Sequence, residues 1–137
     1  MNAITVFRIV TLFIKTKEKN LNYNIMNTYS IIAQLVIALS VAYVWIFRFD
    51  NIVKEFKQYG VPDLTRNIVG ALKIALATLL ITGIWFPTLV FIPALIMAFL
   101  MVCAQYFHFK VKNPWSKHLP SLLLLAASLF VALLASK

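Results

Sequence analysis

One stretch limits what this chain can fold into: residues 68–86, IVGALKIALATLLITGIWF, an apolar run of 19 residues with one charge, Lys73. A helix of that length, at about 1.5 Å per residue, matches the roughly 30 Å hydrocarbon core of a bilayer. An ammonium at mid-bilayer costs on the order of 2.5–3.5 kcal/mol on insertion scales. Lys73 therefore needs a partner, a polar cavity or a route to the membrane interface.

The composition places the chain among integral membrane proteins. Of its 137 residues, 62% are hydrophobic and only 12% are charged, which is far too few for a soluble domain. The net charge of +9 comes from basic residues that flank apolar runs, a pattern typical of topology signals and headgroup contacts and not of a nucleic-acid surface. The single cysteine, Cys103, excludes an internal disulfide and a CxxC redox pair.

Apolar runs and turn signals predict an all-α fold, an antiparallel four-helix membrane bundle with a short amphipathic segment between helices one and two. The segment DNIVKEFKQYG has Ile52, Phe56 and Tyr59 on one face, and Gly60 suits its C-cap. Asp63 is the predicted N-cap of the second span, and Pro93 and Pro120 fall in or near first turns. The four predicted spans are residues 29–47, 66–86, 88–107 and 119–135.

Residues 1–28 read as an N-terminal extension to a four-span domain at 29–137. The apolar part, residues 3–14, is too short to span a membrane, and the polar stretch KTKEKNLNYN follows it. Met26 is a natural start for the first span, so the extension is predicted to lie upstream of the true start. The alternative is a helix that lies on the membrane surface.

The basic residues predict the orientation. The loops 48–66 and 108–118 lie on one side and carry seven of them, so both loops are predicted to be cytoplasmic and both termini external. Four further basic residues in the extension conflict with this orientation if the extension belongs to the native chain.

Each predicted span carries a stripe of small or polar residues spaced three or four apart, and these stripes form the expected bundle interior. Four candidate ligand-binding residues lie on these stripes near the predicted cytoplasmic end. Asp50 or Glu55, from the first loop, could neutralise the charge of Lys73 beside them. The four are Lys73, Gln105, His108 and Trp45. Three simpler interpretations stay open: Lys73 snorkels to the headgroups, Gln105 makes an interhelical hydrogen bond, and His108 is an interfacial residue without a role.

Motifs for catalysis are missing from the sequence. It has no GxSxG, no P-loop and no dinucleotide fingerprint, and its two histidines lack cysteine or acidic residues at metal-binding spacing. We therefore expect no catalytic residues, no metal and no catalytic activity of the chain alone.

The segments FRFDNIVKEFKQYGVP and MVCAQYFHFKVKNPWSKHLPSLLLL, with the GxxK helix between them, resemble the DoxX-like family of small bacterial membrane proteins. The resemblance covers roughly residues 28–135. It implies four short spans in the bacterial cytoplasmic membrane and a helper or scaffold role, in some relatives beside redox enzymes such as thiosulfate:quinone oxidoreductase. Distant animal relatives include a chaperone for nicotinic receptor assembly. Many relatives carry an acidic residue where Lys73 stands, so no role is carried over to that position.

Three functions follow as hypotheses. The first is a non-enzymatic module, without a cofactor, that binds a partner protein or a lipid-like ligand. The second is a quinone-linked subunit of a membrane oxidoreductase complex, in which a quinone would be hydrogen-bonded by Lys73, His108 or Gln105 and stacked on Trp45. A small transporter is ranked last. The expected partners are the lipid bilayer and either another protein or further copies of the chain, but not nucleic acid.

Overall fold

The computed structural model describes residues 1–137 and consists of helices and short turns. Four of the five α-helices are long and apolar enough to cross a membrane, which confirms the predicted all-α membrane bundle. The α-helices are α1 (Ala3–Phe47), α2 (Phe49–Gln58), α3 (Asp63–Thr82), α4 (Phe91–Lys110) and α5 (Trp115–Ala135), and a 3-10 turn (Pro87–Leu89) precedes α4.

The four long helices form a closed ring in the order α1, α3, α4, α5, with each helix packed on its two neighbours. The predicted inward stripes are buried or partly buried in all four, except at Arg48. One fully buried residue from each helix marks the centre of the core: Ile37, Leu80, Met97 and Val131. They lie 11 to 14 residues from the basic residues at the loop end, roughly 16–21 Å along the helices. The centre of the apolar core is therefore in the half of the bundle away from the loops that we predict to be cytoplasmic.

The first helix begins far earlier than predicted. We expected it to start near Tyr29, after a polar stretch, but α1 runs unbroken from Ala3, so roughly 39 Å of helix precede residue 29. Every residue before Ser30 is exposed. The polar stretch is rich in Lys, Glu and Asn, which a helix accommodates when the side chains face outward.

The predicted starts of α3 and α5 are wrong, and α3 ends at Thr82 instead of Phe86. Pro62, not Asp63, is the N-cap of α3, and the Asp63 carboxylate instead accepts a hydrogen bond from Arg66 at 2.6 Å. Helix α5 starts at Trp115 instead of residue 119, so Pro120 lies inside it and not in its first turn. Pro93 does lie in the first turn of α4, where its missing N–H leaves no helical bond unmade.

Helix α2 is the predicted amphipathic segment, but its C-cap is Tyr59 and not Gly60 as predicted. Gly60 follows the cap with a φ of +69°, the left-handed conformation that glycine adopts without strain. The inner side of α2 reaches the turn between α4 and α5. The Gln58 amide nitrogen donates to Asn113 Oδ1 at 3.3 Å, and Glu55 lies 4.0 Å from Lys117 Nζ. The two loops predicted to share one side of the membrane therefore lie at the same end of the bundle.

Candidate ligand-binding cavity

A cavity of about 440 Å³ opens at the loop end of the bundle, between the long helices and α2. All five helices contribute side chains to its walls. The apolar core of the bundle closes the cavity on its inner side, and α2 covers it at the loop end. The volume lies within the range of about 300–1,000 Å³ that is typical of small-molecule sites.

The cavity wall changes from apolar to charged along the bundle axis. Its deep part includes Val41, Met101 and Leu124, which lie six to nine residues inside their helix ends. Its mouth is lined by charged side chains from the loops and helix ends. These are Arg48, Lys54, Glu55 and Lys117. A molecule with an apolar body and a polar end matches this gradient.

Lys73 borders the cavity at about the depth of its apolar part and is partly buried. It lies on the inward stripe of α3, between the buried residues Gly70 and Ala77. Its ammonium has no carboxylate within 4.0 Å and makes no hydrogen bond. The structure thus gives Lys73 a cavity of the kind that its position in the span requires, without a fixed partner in the chain.

Trp45 forms the neighbouring wall. Its indole packs on Gly70, where a Cβ atom would overlap three ring carbons, so only glycine permits this approach of α1 to α3. Phe49 continues the aromatic surface, with its ring centre 6.3 Å from that of Trp45. The candidates Lys73 and Trp45 are therefore neighbours in one wall of the cavity.

His108 borders the cavity from α4 and is held by groups outside that helix. The Asn113 amide nitrogen donates to His108 Nδ1 at 2.8 Å, and the Tyr59 hydroxyl lies 3.1 Å from the same atom. Because an amide nitrogen only donates, Nδ1 accepts, and the ring proton is on Nε2. This leaves Nε2–H as a hydrogen-bond donor without a partner in the chain.

Tyr59 links α2 to this histidine. It is half-buried, stacks on Phe107 with ring centres 5.3 Å apart, and meets the His108 ring edge-on. Burial raises the pKa of the Tyr59 phenol well above its usual value, and the nearby Glu55 carboxylate raises it further. The hydroxyl therefore stays protonated at every physiological pH.

Gln105 does not border the cavity. It is buried between α4 and α5, where its amide nitrogen donates to the carbonyl oxygen of His118 at 2.9 Å and to Ser121 Oγ at 2.6 Å. Its amide oxygen accepts from His118 Nδ1 at 2.8 Å. All its hydrogen-bonding groups are engaged, which agrees with the simpler interpretation of Gln105 as an interhelical link.

Of the two acidic residues considered for neutralising Lys73, the structure favours Glu55. Asp50 is exposed in the first turn of α2 and does not border the cavity, whereas Glu55 does. Glu55 lies 4.0 Å from Lys117, and this second ammonium offsets part of the attraction between the Glu55 carboxylate and Lys73.

The structure thus brings Lys73, His108 and Trp45 to one cavity and leaves Gln105 and Asp50 outside it. That these residues bind a ligand stays a prediction. Tyr59, Asn113 and His118 were not predicted as members of the polar network. Tyr59 could have been found, because its hydroxyl is the polar group on the face that it shares with Ile52 and Phe56.

No group of three or more His, Cys, Asp or Glu side chains is placed to hold a metal ion. A comparison with models of protein families matches the DoxX-like family over residues 29–131, which confirms the resemblance noted in the sequence. The match begins one residue before Ser30, the first buried residue of α1. Searches among curated proteins and among solved structures gave no match.

Proposed function

The chain belongs to the DoxX-like family, and we propose that this member is a non-enzymatic membrane module that binds a lipid-like ligand in the cavity at the loop end of its bundle. The observation that carries the proposal is the cavity itself. About 440 Å³ lie next to an intramembrane lysine, in a bundle whose fully buried apolar core lies farther from the loop end.

The side chains around the cavity offer a ligand two hydrogen-bond donors and an aromatic surface. The donors are Lys73 and His108 Nε2–H, and the Trp45 ring packs against Gly70. Because His108 and Trp45 are held by their neighbours, less entropy is lost when a ligand binds to them. Apolar surface in the deep part supplies the remaining affinity.

A quinone is the second candidate ligand, which would make the chain a quinone-linked subunit of an oxidoreductase complex. The placement of Trp45 beside Lys73 favours it, since an indole can stack on a quinone ring while a lysine donates to its carbonyl. In that role, electrons would come from a partner protein.

Native mass spectrometry of the full chain, purified in mild detergent, tests the proposal. The wild type should carry a bound amphiphile. Ala104→Phe fills the cavity and should remove it, whereas Val102→Phe adds the same ring on the lipid-facing side of α4 and should leave it bound. Size-exclusion profiles of both variants check that they fold.

The mass of the bound molecule separates the candidates, because quinones and membrane lipids differ in mass and ultraviolet absorption. A wild type that is always recovered without ligand, or an Ala104→Phe variant that keeps it, would contradict ligand binding in this cavity. Co-purification of a second protein or formation of a defined oligomer would point to the partner-binding form of the module.

We further propose that the chain resides in a bacterial cytoplasmic membrane with residues 48–66 and 108–118 in the cytoplasm. Seven lysine and arginine residues at this end of the bundle support that orientation. Cysteines introduced at Lys57 and Lys112, in a Cys103→Ser background, should react with an impermeant thiol reagent only after the cells are opened.

A further inference from the structure

We infer that the ligand of this cavity carries an anionic headgroup, a phosphate or a carboxylate, which Lys73 binds while the apolar tail lies along the deep wall. This inference rests on the proposed function and specifies the class of ligand. The headgroup is that of a membrane lipid, not a free anion.

The charges around the cavity are unbalanced. Its lining includes four basic side chains and a single carboxylate, that of Glu55. Glu55 already faces Lys117 at 4.0 Å at the mouth of the cavity. The excess of positive charge therefore creates a field that attracts an anion, and the low-dielectric walls concentrate this field. The four basic residues are Arg48, Lys54, Lys73 and Lys117.

Lys73 is the basic residue that lies deepest. It is seven residues along α3 from Arg66, roughly 10 Å from that end, while the other three belong to the loops and helix ends. An ammonium at this depth has lost part of its hydration, and no side chain of the bundle replaces it. An oxyanion would restore the lost interactions through a charge-assisted hydrogen bond.

The orientation of the ligand follows from the wall. The charged mouth and Lys73 bind the headgroup. Three apolar lining residues lie on the other three long helices at about the depth of Lys73, seven to nine residues from the basic residues at the loop end, so the tail lies against them. They are Val41, Met101 and Leu124. A soluble anion would leave this apolar part in contact with water, whereas a lipid tail fills it. A neutral quinone would satisfy one donor but would not balance the charge.

Cys103 offers a direct measurement because it is the only cysteine and it lines the same cavity. The experiment uses the full chain in nanodiscs and measures the rate at which a small maleimide labels Cys103. Discs of pure phosphatidylcholine are compared with discs that contain phosphatidylglycerol, and a third sample has phosphatidylcholine with inorganic phosphate in the buffer. Each variant is referred to its own rate in phosphatidylcholine.

Phosphatidylglycerol should slow labelling of the wild type about tenfold, the factor expected for one charge-assisted hydrogen bond. Lys73→Gln should lose this protection and Lys73→Arg should keep it. Lys57→Gln removes the same charge from an exposed position of α2 outside the cavity and should behave like the wild type. Removing an unpaired intramembrane charge does not weaken the fold, so Lys73→Gln remains a usable variant.

The other outcomes separate a failure of this inference from a failure of the proposed function. Equal labelling rates in the two kinds of disc would show that the charge of the lipid is not recognised, which removes the inference. Native mass spectrometry would then separate a cavity that holds an uncharged lipid, in which case the proposed function stands, from a cavity without any ligand. Protection by inorganic phosphate alone would replace the lipid with a soluble anion.

Discussion

The indole ring of Trp45 packs directly on the backbone of Gly70, one helical turn before Lys73. A side chain at position 70 would overlap the ring carbons Cε3, Cζ3 and Cη2. The contact brings α1 and α3 close together at the level of the cavity and fixes the aromatic wall beside the intramembrane lysine. The pair thus couples helix packing to the shape of the candidate site.

Gly70→Ala tests this contact through the sign of its effect. In an open helix position this change stabilises by up to about 1 kcal/mol, because alanine is the better helix former. Here the added methyl group meets a rigid ring, and we expect destabilisation by about 1–3 kcal/mol. Thermal unfolding in detergent measures the difference.

A second substitution provides the control. Trp45→Leu removes the ring, so Gly70→Ala in the Trp45→Leu background should no longer destabilise. If Gly70→Ala is neutral or stabilising in the wild-type background, the ring does not press on the α3 backbone.

The sequence was sufficient to predict which face of each span lies inward. Small and polar residues at steps of three and four, such as Gly70, Lys73 and Ala77, are the inward residues in the structure. This rule works because side chains three and four apart share one side of a helix and because close helix packing in lipid favours small residues. Three of the four candidate residues on those faces also line one cavity.

The sequence was not sufficient to predict which neighbour each inward residue of one helix contacts. Gln105 and His108 lie on the same stripe, yet the first turns to α5 and the second faces the cavity. The difference comes from His118, which α5 carries because it starts four residues earlier than predicted. Once α5 begins at Trp115, His118 is within reach of Gln105 and occupies it.

The unbroken α1 was missed for a different reason. A polar run such as KTKEKNLNYN has no strong breaker, and helix formation there depends on continuation from both neighbours, which periodicity does not reveal.

The Gln105 link should be important for stability and not for the cavity. Gln105→Leu leaves His118 Nδ1 without its acceptor in a buried place, and destabilisation by about 1–3 kcal/mol is expected. Gln58→Leu is the matched control, since Gln58 is exposed and makes only one hydrogen bond, at 3.3 Å. Thermal unfolding compares the two. Equal effects would mean that the buried network contributes no more than a surface contact.

Tyr59 should make the free energy of unfolding decrease as the pH rises through the alkaline range. An unfolded tyrosine loses its proton near pH 10, whereas burial raises the pKa of Tyr59 in the folded chain. Above about pH 10 the unfolded state therefore binds fewer protons than the folded state, and stability falls as pH rises.

Thermal unfolding from about pH 9 to 11.5 measures this dependence. The unfolding temperature of Tyr59→Phe should fall less steeply than that of the wild type, and Tyr106→Phe, at an exposed position of α4, should follow the wild type. Parallel curves for all three proteins would show that the Tyr59 phenol is not shielded from water.

The first 25 residues should contribute little to the stability of the bundle. No residue before Ser30 is buried, and the family match starts at residue 29. A chain that starts at Met26 keeps every buried contact of α1 and adds only a frayed end. Its unfolding temperature should stay within about 2 °C of that of the full chain.

A longer truncation is the control for this result. Removing residues 1–34 also deletes Ser30 and Gln34, which are 8% and 3% exposed and are joined by a 2.9 Å hydrogen bond from the Gln34 amide nitrogen to Ser30 Oγ. That loss should lower the unfolding temperature by several degrees, at about 4–8 °C per kcal/mol for a small domain. If the shorter truncation has an effect of the same size, the exposed part of α1 supports the bundle through contacts with the membrane or with another chain.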